Sequence, residues 1–247
     1  MVQLGRALAR GDRYLSHTAA AELWRCPLPA GSLGQMHLSS SARAPRMLGV
    51  SGHRAAKIDR VVRRDGVAVT DAESTWLGLA RMLPLDELIA CGDHLVHIPP
   101  RDDAAAEKRP FTTIEKLSER MRGYRGPGMV RARAALEQLS TRAESRPETL
   151  LRLLLIRAGV TGFVVNPEVF DADGRWIARC DIAFVSRKVA VEYDGDHHRS
   201  DRRQYERDQR RLDRLMDAGW RVVRIRSHAL FHRPEEVVAR VRGALAR

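Results

Sequence analysis

Apolar positions along the first hundred residues change period several times. Ser16 and Thr18 offer caps for a helix over Ala19–Trp24, stopped by Pro27 and Pro29. Gln35–Ser40 and Met47–His53 read as short strands separated by a Ser/Ala/Arg/Pro loop. Val61–Thr70 carries Asp65-Gly66 between apolar runs, a hairpin signal. Thr70 or Asp71 then caps a helix bearing Trp76, Leu77, Leu79, Ala80 and Leu83 at a period near 3.6, and Leu85–Val96 forms the next.

Between Pro99 and Arg109 the chain turns polar and proline-rich, as a linker or exposed loop does. Two helices, Thr113–Met121 and Met129–Leu139, follow around the turn Gly123–Gly128. Their arginines (Arg120, Arg122, Arg125, Arg131, Arg133) suit solvated helix faces or phosphate contacts.

The remainder is more regular. Arg146–Ala158 is an amphipathic helix with Pro147 in its first turn and Gly159 as its stop. Val164–Phe170 and Trp176–Phe184 read as strands around the turn Asp171–Arg175, and Lys188–Asp194 as a strand apolar enough for a sheet centre. A charged helix over Asp201–Ala218, a strand over Trp220–Ile225 and a helix over Pro234–Ala246 complete an α/β domain of about 100 residues. The expected organisation is an α/β domain over 1–98, a linker and helical hairpin over 99–142, and a second α/β domain over 143–247.

Hydrophobic residues are 44% and charged residues 30% of the 247, so the chain can bury a core and is not of disordered composition. Net charge is +12, spread over both halves. That excess favours polyanions such as nucleic acid, although a compositional bias competes as an explanation, since only four of the 43 basic residues are lysines. Cys26, Cys91 and Cys180 stand far apart, with neither zinc nor disulfide spacing. No apolar run approaches about 18 residues and the N-terminus lacks a signal-peptide core. The expectation is a cytoplasmic, soluble protein.

Candidate chemistry lies in Val189-Ala-Val-Glu-Tyr-Asp-Gly195. Strand alternation puts Val189, Val191 and Tyr193 on one face and Ala190, Glu192 and Asp194 on the other. Two carboxylates thus emerge together at a buried strand's end. Asp181 sits in the preceding apolar strand, close enough to pair beside Glu192 across a short connection. Clustered carboxylates repel unless a cation neutralises them, and all-oxygen ligands select Mg²⁺, with Mn²⁺ a close substitute. Such a metal suits phosphodiester hydrolysis. His197 and His198 follow directly as candidate proton-transfer groups. A solvated Asp/His turn is the competing reading. Glu148 suits either this cluster or simple compensation of a helix N-terminus. In the helix 201–218, Arg203, Arg207 and Arg211 are candidate phosphate contacts, interleaved with acids, and His197 is a further candidate DNA contact. His17, His53, His94 and His97 show no metal-ligand spacing and read as structural or surface residues.

Taken in order, Glu148-Thr-Leu-Leu-Arg-Leu-Leu-Leu, Ala178-Arg-Cys-Asp-Ile-Ala-Phe, Val189-Ala-Val-Glu-Tyr-Asp-Gly-Asp-His-His198, Asp208 with Arg211, and Gly219-Trp-Arg-Val-Val-Arg224 resemble the very-short-patch-repair-like (Vsr-like) branch of the PD-(D/E)XK endonuclease superfamily. The resemblance spans about residues 144–246. It implies a restriction-endonuclease-like domain, a central mixed sheet flanked by helices, cleaving DNA with Mg²⁺ or Mn²⁺. By this resemblance Asp181 is the principal metal ligand, Glu192 the second acid and Glu148 the helix acid. Asp194 stands where the superfamily has lysine, so His198, or His197, takes the proton-transfer role; Asp208 and Arg211 become site supports. Leu15-Ser-His-Thr-Ala-Ala-Ala-Glu-Leu-Trp24, Pro27-Leu-Pro29, Gly52-His-Arg54 and Asp65-Gly-Val-Ala-Val-Thr70 resemble AbiEi-type antitoxin-like proteins. The expected activity is a metal-dependent DNA endonuclease; the alternative is a non-catalytic DNA-binding antitoxin or transcriptional regulator. DNA is the expected partner, with a toxin protein or a second copy of the chain as further candidates and no membrane.

Overall fold

The computed structural model describes residues 8–32, 34–100, 107–195 and 202–247, with only the backbone of 202–208. The chain divides into two compact units, Met1–Arg146 and Pro147–Arg247. Both are mixed α/β.

The first unit is built on a five-stranded sheet of order β3-β2-β1-β5-β4. Its strands are β1 (Arg13–Leu15), β2 (Met36–Ser40), β3 (Val50–Arg54), β4 (Val61–Arg64) and β5 (Val67–Thr70). The β4–β5 turn places both Asp65 and Gly66 at positive φ (50° and 76°), the geometry that matches the twist of a two-residue hairpin. Helix α1 (His17–Leu23) follows β1, a strand too short to leave a period in the sequence. α2 (Ala72–Leu79) is capped by Asp71, which accepts from the Ser74 N–H, and α3 (Leu85–Val96) follows Pro84.

Helices α4 (Ile114–Arg122) and α5 (Met129–Leu136) complete this unit. Arg122, Arg125 and Arg133 are exposed, as solvated helix faces require, while Arg120 and Arg131 make internal contacts as well. Arg120 binds both oxygens of Asp71 (2.7 and 3.3 Å), Ser74 Oγ and the Ile58 carbonyl, while Arg131 donates to the carbonyls of Ala80 and Leu83. Both tie helix ends and loops together.

The second unit starts with α6 (Arg146–Arg157) and has a four-stranded sheet of order β11-β10-β9-β6. Its members are β6 (Val164–Val165), β9 (Ile182–Phe184), β10 (Val189–Asp194) and β11 (Arg221–Arg226), with β10–β11 parallel and the other pairs antiparallel. β7 (Glu168–Phe170) and β8 (Trp176–Arg179) form a separate hairpin. α7 (Arg202–Asp217), α8 (Ser227–His232) and α9 (Pro234–Leu245) complete the unit, α8 being a turn the sequence reading passed over. The two sheet faces are covered differently, as β10's alternation requires. Val189 and Val191 pack with Leu151, Leu155, Val237 and Val241; Ala190 packs with Ile177, Cys180, Leu215 and Trp220. Burying about ten aliphatic side chains on the first face and a smaller set with Trp220 on the second supplies tens of kcal/mol before chain entropy is set against it.

Two long strands expected from sequence are each broken. Val164–Phe170 divides at Asn166-Pro167, where Asn166 takes a left-handed φ of 46° and Pro167 has no N–H to continue a ladder. Trp176–Phe184 divides at Cys180-Asp181, so the two halves join different sheets. Met47–His53 likewise begins as strand only at Val50. Among the described residues, no helix is long and apolar enough to cross a membrane.

Candidate functional site

The break after β8 frees Asp181 from a ladder and turns it toward β10. Ile182 is opposite Val191, so Asp181 comes level with Glu192. Asp181 Oδ2 accepts the Tyr193 backbone N–H at 2.6 Å, which fixes the carboxylate against the strand. Burial, and then the charges of Glu192 and Glu148, push its pKa up to about 8. Its ionised form is therefore costly unless a cation arrives.

Glu192 lies on the β10 face opposite Val191 and is only 5% exposed. Its Oε2 accepts from Arg211 Nη2 at 2.8 Å; Arg211 also donates to the Arg179 carbonyl at 3.2 Å. Oε1 is buried with no hydrogen bond of its own among the described residues. Burial raises the Glu192 pKa, and Arg211 opposes that rise. Arg211 in turn keeps its charge firmly: burial works against it, but the facing Glu192 outweighs burial. The neighbouring Cys180 thiol is pushed up strongly by burial and by Glu192, so it stays a neutral thiol.

Glu148, buried in the first turn of α6, does more there than offset a helix dipole. Asn166 Nδ2 donates to its Oε2 at 2.8 Å, and its charge acts on both Asp181 and Glu192. Asn166 also donates its backbone N–H to the Asp181 carbonyl at 2.9 Å, linking two acids through one corner residue. Sequence reasoning missed Asn166. Its signal was the Asn166-Pro167 dipeptide, a turn former inside an apolar run.

Asp194 has a counter-charge of its own. It pairs with Arg224 at 2.9 Å, at the rim of a 520 Å³ cavity lined by Arg224, Arg226, His228 and Arg240. These basic groups were also overlooked, because strand β11 alternates arginine with apolar residues and reads as an ordinary half-buried strand. His197 and His198 lie outside the described residues, as do the side chains of Arg203, Arg207 and Asp208.

An ion binding here would meet two buried carboxylates, each with one oxygen already engaged. Glu192 Oε1, buried without a hydrogen bond among the described residues, is an atom left for it. Glu148, Asp181 and Glu192 do not bring three oxygens within 4.8 Å of one another. Mg²⁺ commonly takes one or two carboxylates and keeps waters for its other positions, so the pair present fits it.

The fold also brings together histidines that the sequence left apart. Among the described residues, the one group of three His, Cys, Asp or Glu side chains with ligand atoms within 4.8 Å of one another is His17, His37 and His53. They lie in the first unit, on three elements, where linear spacing could not reveal them.

A restriction-endonuclease-like family model, REase_MTES_1575, matches residues 161–245. The match takes in Asp181, Glu192 and Asp194 and supports a restriction-endonuclease-like C-terminal domain; Glu148 and the first unit lie outside it. No curated protein matches the chain.

Proposed function

We propose that the second unit is a Mg²⁺-dependent (or Mn²⁺-dependent) DNA endonuclease of the Vsr-like PD-(D/E)XK type, joined to an antitoxin-like first unit. The observation that carries this is the buried Asp181–Glu192 pair. Its raised pKa values make the acids a costly arrangement alone and a favourable one around a divalent cation.

Asp181 and Glu192 would hold the ion, with Glu148 supporting from α6. The ion supplies charge neutralisation at the scissile phosphate and acidifies water. The chain's own groups do the rest. Tyr193 N–H and Arg211 orient the two carboxylates, each through one oxygen. Asn166 holds Glu148 in place. Arg226 and Arg240 offer charge to DNA phosphates, joined by Arg203 and Arg207 on α7. His198, with His197 as its neighbour, is the proposed proton-transfer group in place of the missing lysine.

A second reading has its own support. Glu192 and Asp194 already possess arginine partners, at 2.8 and 2.9 Å, as acids in a site that only binds DNA would. That reading makes the protein a DNA-binding antitoxin or regulator, with a toxin protein as partner.

Supercoiled-plasmid nicking separates the two. The native chain should nick with Mg²⁺ and not with EDTA. Asp181→Asn should cut the rate by at least roughly 100-fold, about 3 kcal/mol of barrier. Binding without nicking by either protein would leave the second reading standing.

A further inference from the structure

The first unit holds a cluster that the nuclease reading does not use. His17 is the first residue of α1, His37 lies in β2 and His53 in the neighbouring parallel strand β3. Alternation sets His37 and Ser39 on the face opposite Met36 and Leu38, yet both polar residues are buried. His37 Nδ1 and His53 Nε2 are 2.8 Å apart, and the two rings stack at 5.0 Å. The His17 ring stacks on His53 at 4.1 Å, and its Nδ1 is 3.0 Å from Ser16 Oγ, which accepts from Ser39 Oγ at 2.8 Å.

Two local costs are concentrated on seating His17. Its backbone sits at φ 51°, a left-handed conformation that costs a non-glycine residue about 1 kcal/mol or more. Gly78 lies in the last turn of α2, where glycine is still a poorer helix former than alanine. A Cβ at Gly78 would come within 3.3 Å of the His17 ring. Neither cost serves the core, because His17 points at other polar side chains.

Burial first, then the other imidazoles, hold His17 down at about 3 and His37 at about 4; burial and the charge of Arg81 lower His53. The rings are thus neutral, the form in which imidazole binds metal. Three neutral nitrogens are a borderline-soft donor set, suited to Zn²⁺, Co²⁺ or Ni²⁺ and not to Mg²⁺.

We propose that His17, His37 and His53 bind one divalent transition-metal ion of the zinc class, leaving one coordination position open to the adjoining cavity. That cavity, of 310 Å³, has His17 and His53 in its wall together with Ser16, Ser39, Arg81 and Tyr124. Three protein ligands with one open position is the arrangement of exchangeable rather than closed zinc sites. Arg81 beside the opening favours an anionic group there. Tetrahedral zinc with nitrogens at 2.0–2.1 Å needs about 3.3 Å between them. Entry of the ion therefore parts His37 from His53 by about half an ångström, and the proton bridging them moves to the other nitrogen of its own ring.

Cobalt titration of the metal-stripped full chain tests this, with excess Mg²⁺ present to occupy the carboxylates. One Co²⁺ per chain with the visible absorption of a four-coordinate nitrogen site is expected, displaced by Zn²⁺. Asp181→Asn should leave that absorption unchanged, and the double variant His37→Gln/His53→Gln should weaken binding at least ten-fold with unchanged circular dichroism. Should the double variant not fold, His17→Gln alone must weaken binding at least ten-fold. No cobalt absorption in the native chain, or equal affinity in the folded histidine variants, overturns the proposal.

Discussion

Asp181 shows how one side chain's surroundings become a measurable property of the whole. Its ordinary value in an unfolded chain is about 3.9, and in the fold it is raised to about 8. The native state therefore holds this proton more tightly than the unfolded state. Stability it contributes in protonated form is complete below about pH 4 and is lost as pH rises through about 8. Asp181→Asn keeps an oxygen for the Tyr193 N–H and removes the titration. In EDTA, the variant's unfolding free energy relative to the native chain should climb between pH 4 and pH 8, by on the order of 2–4 kcal/mol, and then level off. Urea unfolding at pH 5 and pH 8.5 measures it. A difference that does not change with pH would mean that Asp181 is solvated. Mg²⁺ should shrink the difference at pH 8.5, because an ion on the carboxylate compensates the buried charge.

At the scale of elements, legibility followed range. Glu192 and Asp194 could be placed on one face from strand period alone, and both do face away from Val191. Asp181 could be placed beside Glu192 because a short connection joins their strands. What escaped were features set by non-local pairing. The corner at Asn166 and the break before Ile182 belong to a sheet exchange that no period encodes. The histidine cluster needs β2 and β3 to pair in parallel across an intervening loop. Arg211 was read as a phosphate contact or, by the resemblance, a site support; in the fold it donates to Glu192 and the Arg179 carbonyl, latching α7 to the sheet. Arg211→Ala leaves Glu192 buried beside Asp181 without a counter-charge, so it should destabilise by about 3 kcal/mol. Adding Glu192→Gln should restore at least half of that, because the orphaned charge is then gone. Denaturant midpoints of the native, single and double variants provide the comparison, and a double variant no better than the single would place Arg211's contribution in packing.

At the scale of the molecule, a net charge of +12 does not say which basic groups are available to a polyanion. Arg120, Arg211 and Arg224 face carboxylates, and Arg131 is committed to backbone carbonyls. The charge that remains for a polyanion is held by groups such as Arg226 and Arg240, which line a cavity beside Asp194. Each phosphate neutralised lowers log K by about 0.9 per unit of log salt, so four such contacts weaken binding by about 100-fold between 50 and 200 mM salt. Fluorescence anisotropy of a labelled duplex with Asp181→Asn in EDTA should give a slope of at least about that size, free of cleavage. Arg226→Ala with Arg240→Ala should lower the slope by about two contacts if these arginines grip the backbone. An unchanged slope would assign the phosphate contacts elsewhere, and a flat salt dependence in the parent variant would remove DNA backbone recognition from the protein's function. Because cleavage and binding respond to different residues, Asp181 for the first and the arginines for the second, the two measurements together distinguish a nuclease from a protein that only holds DNA.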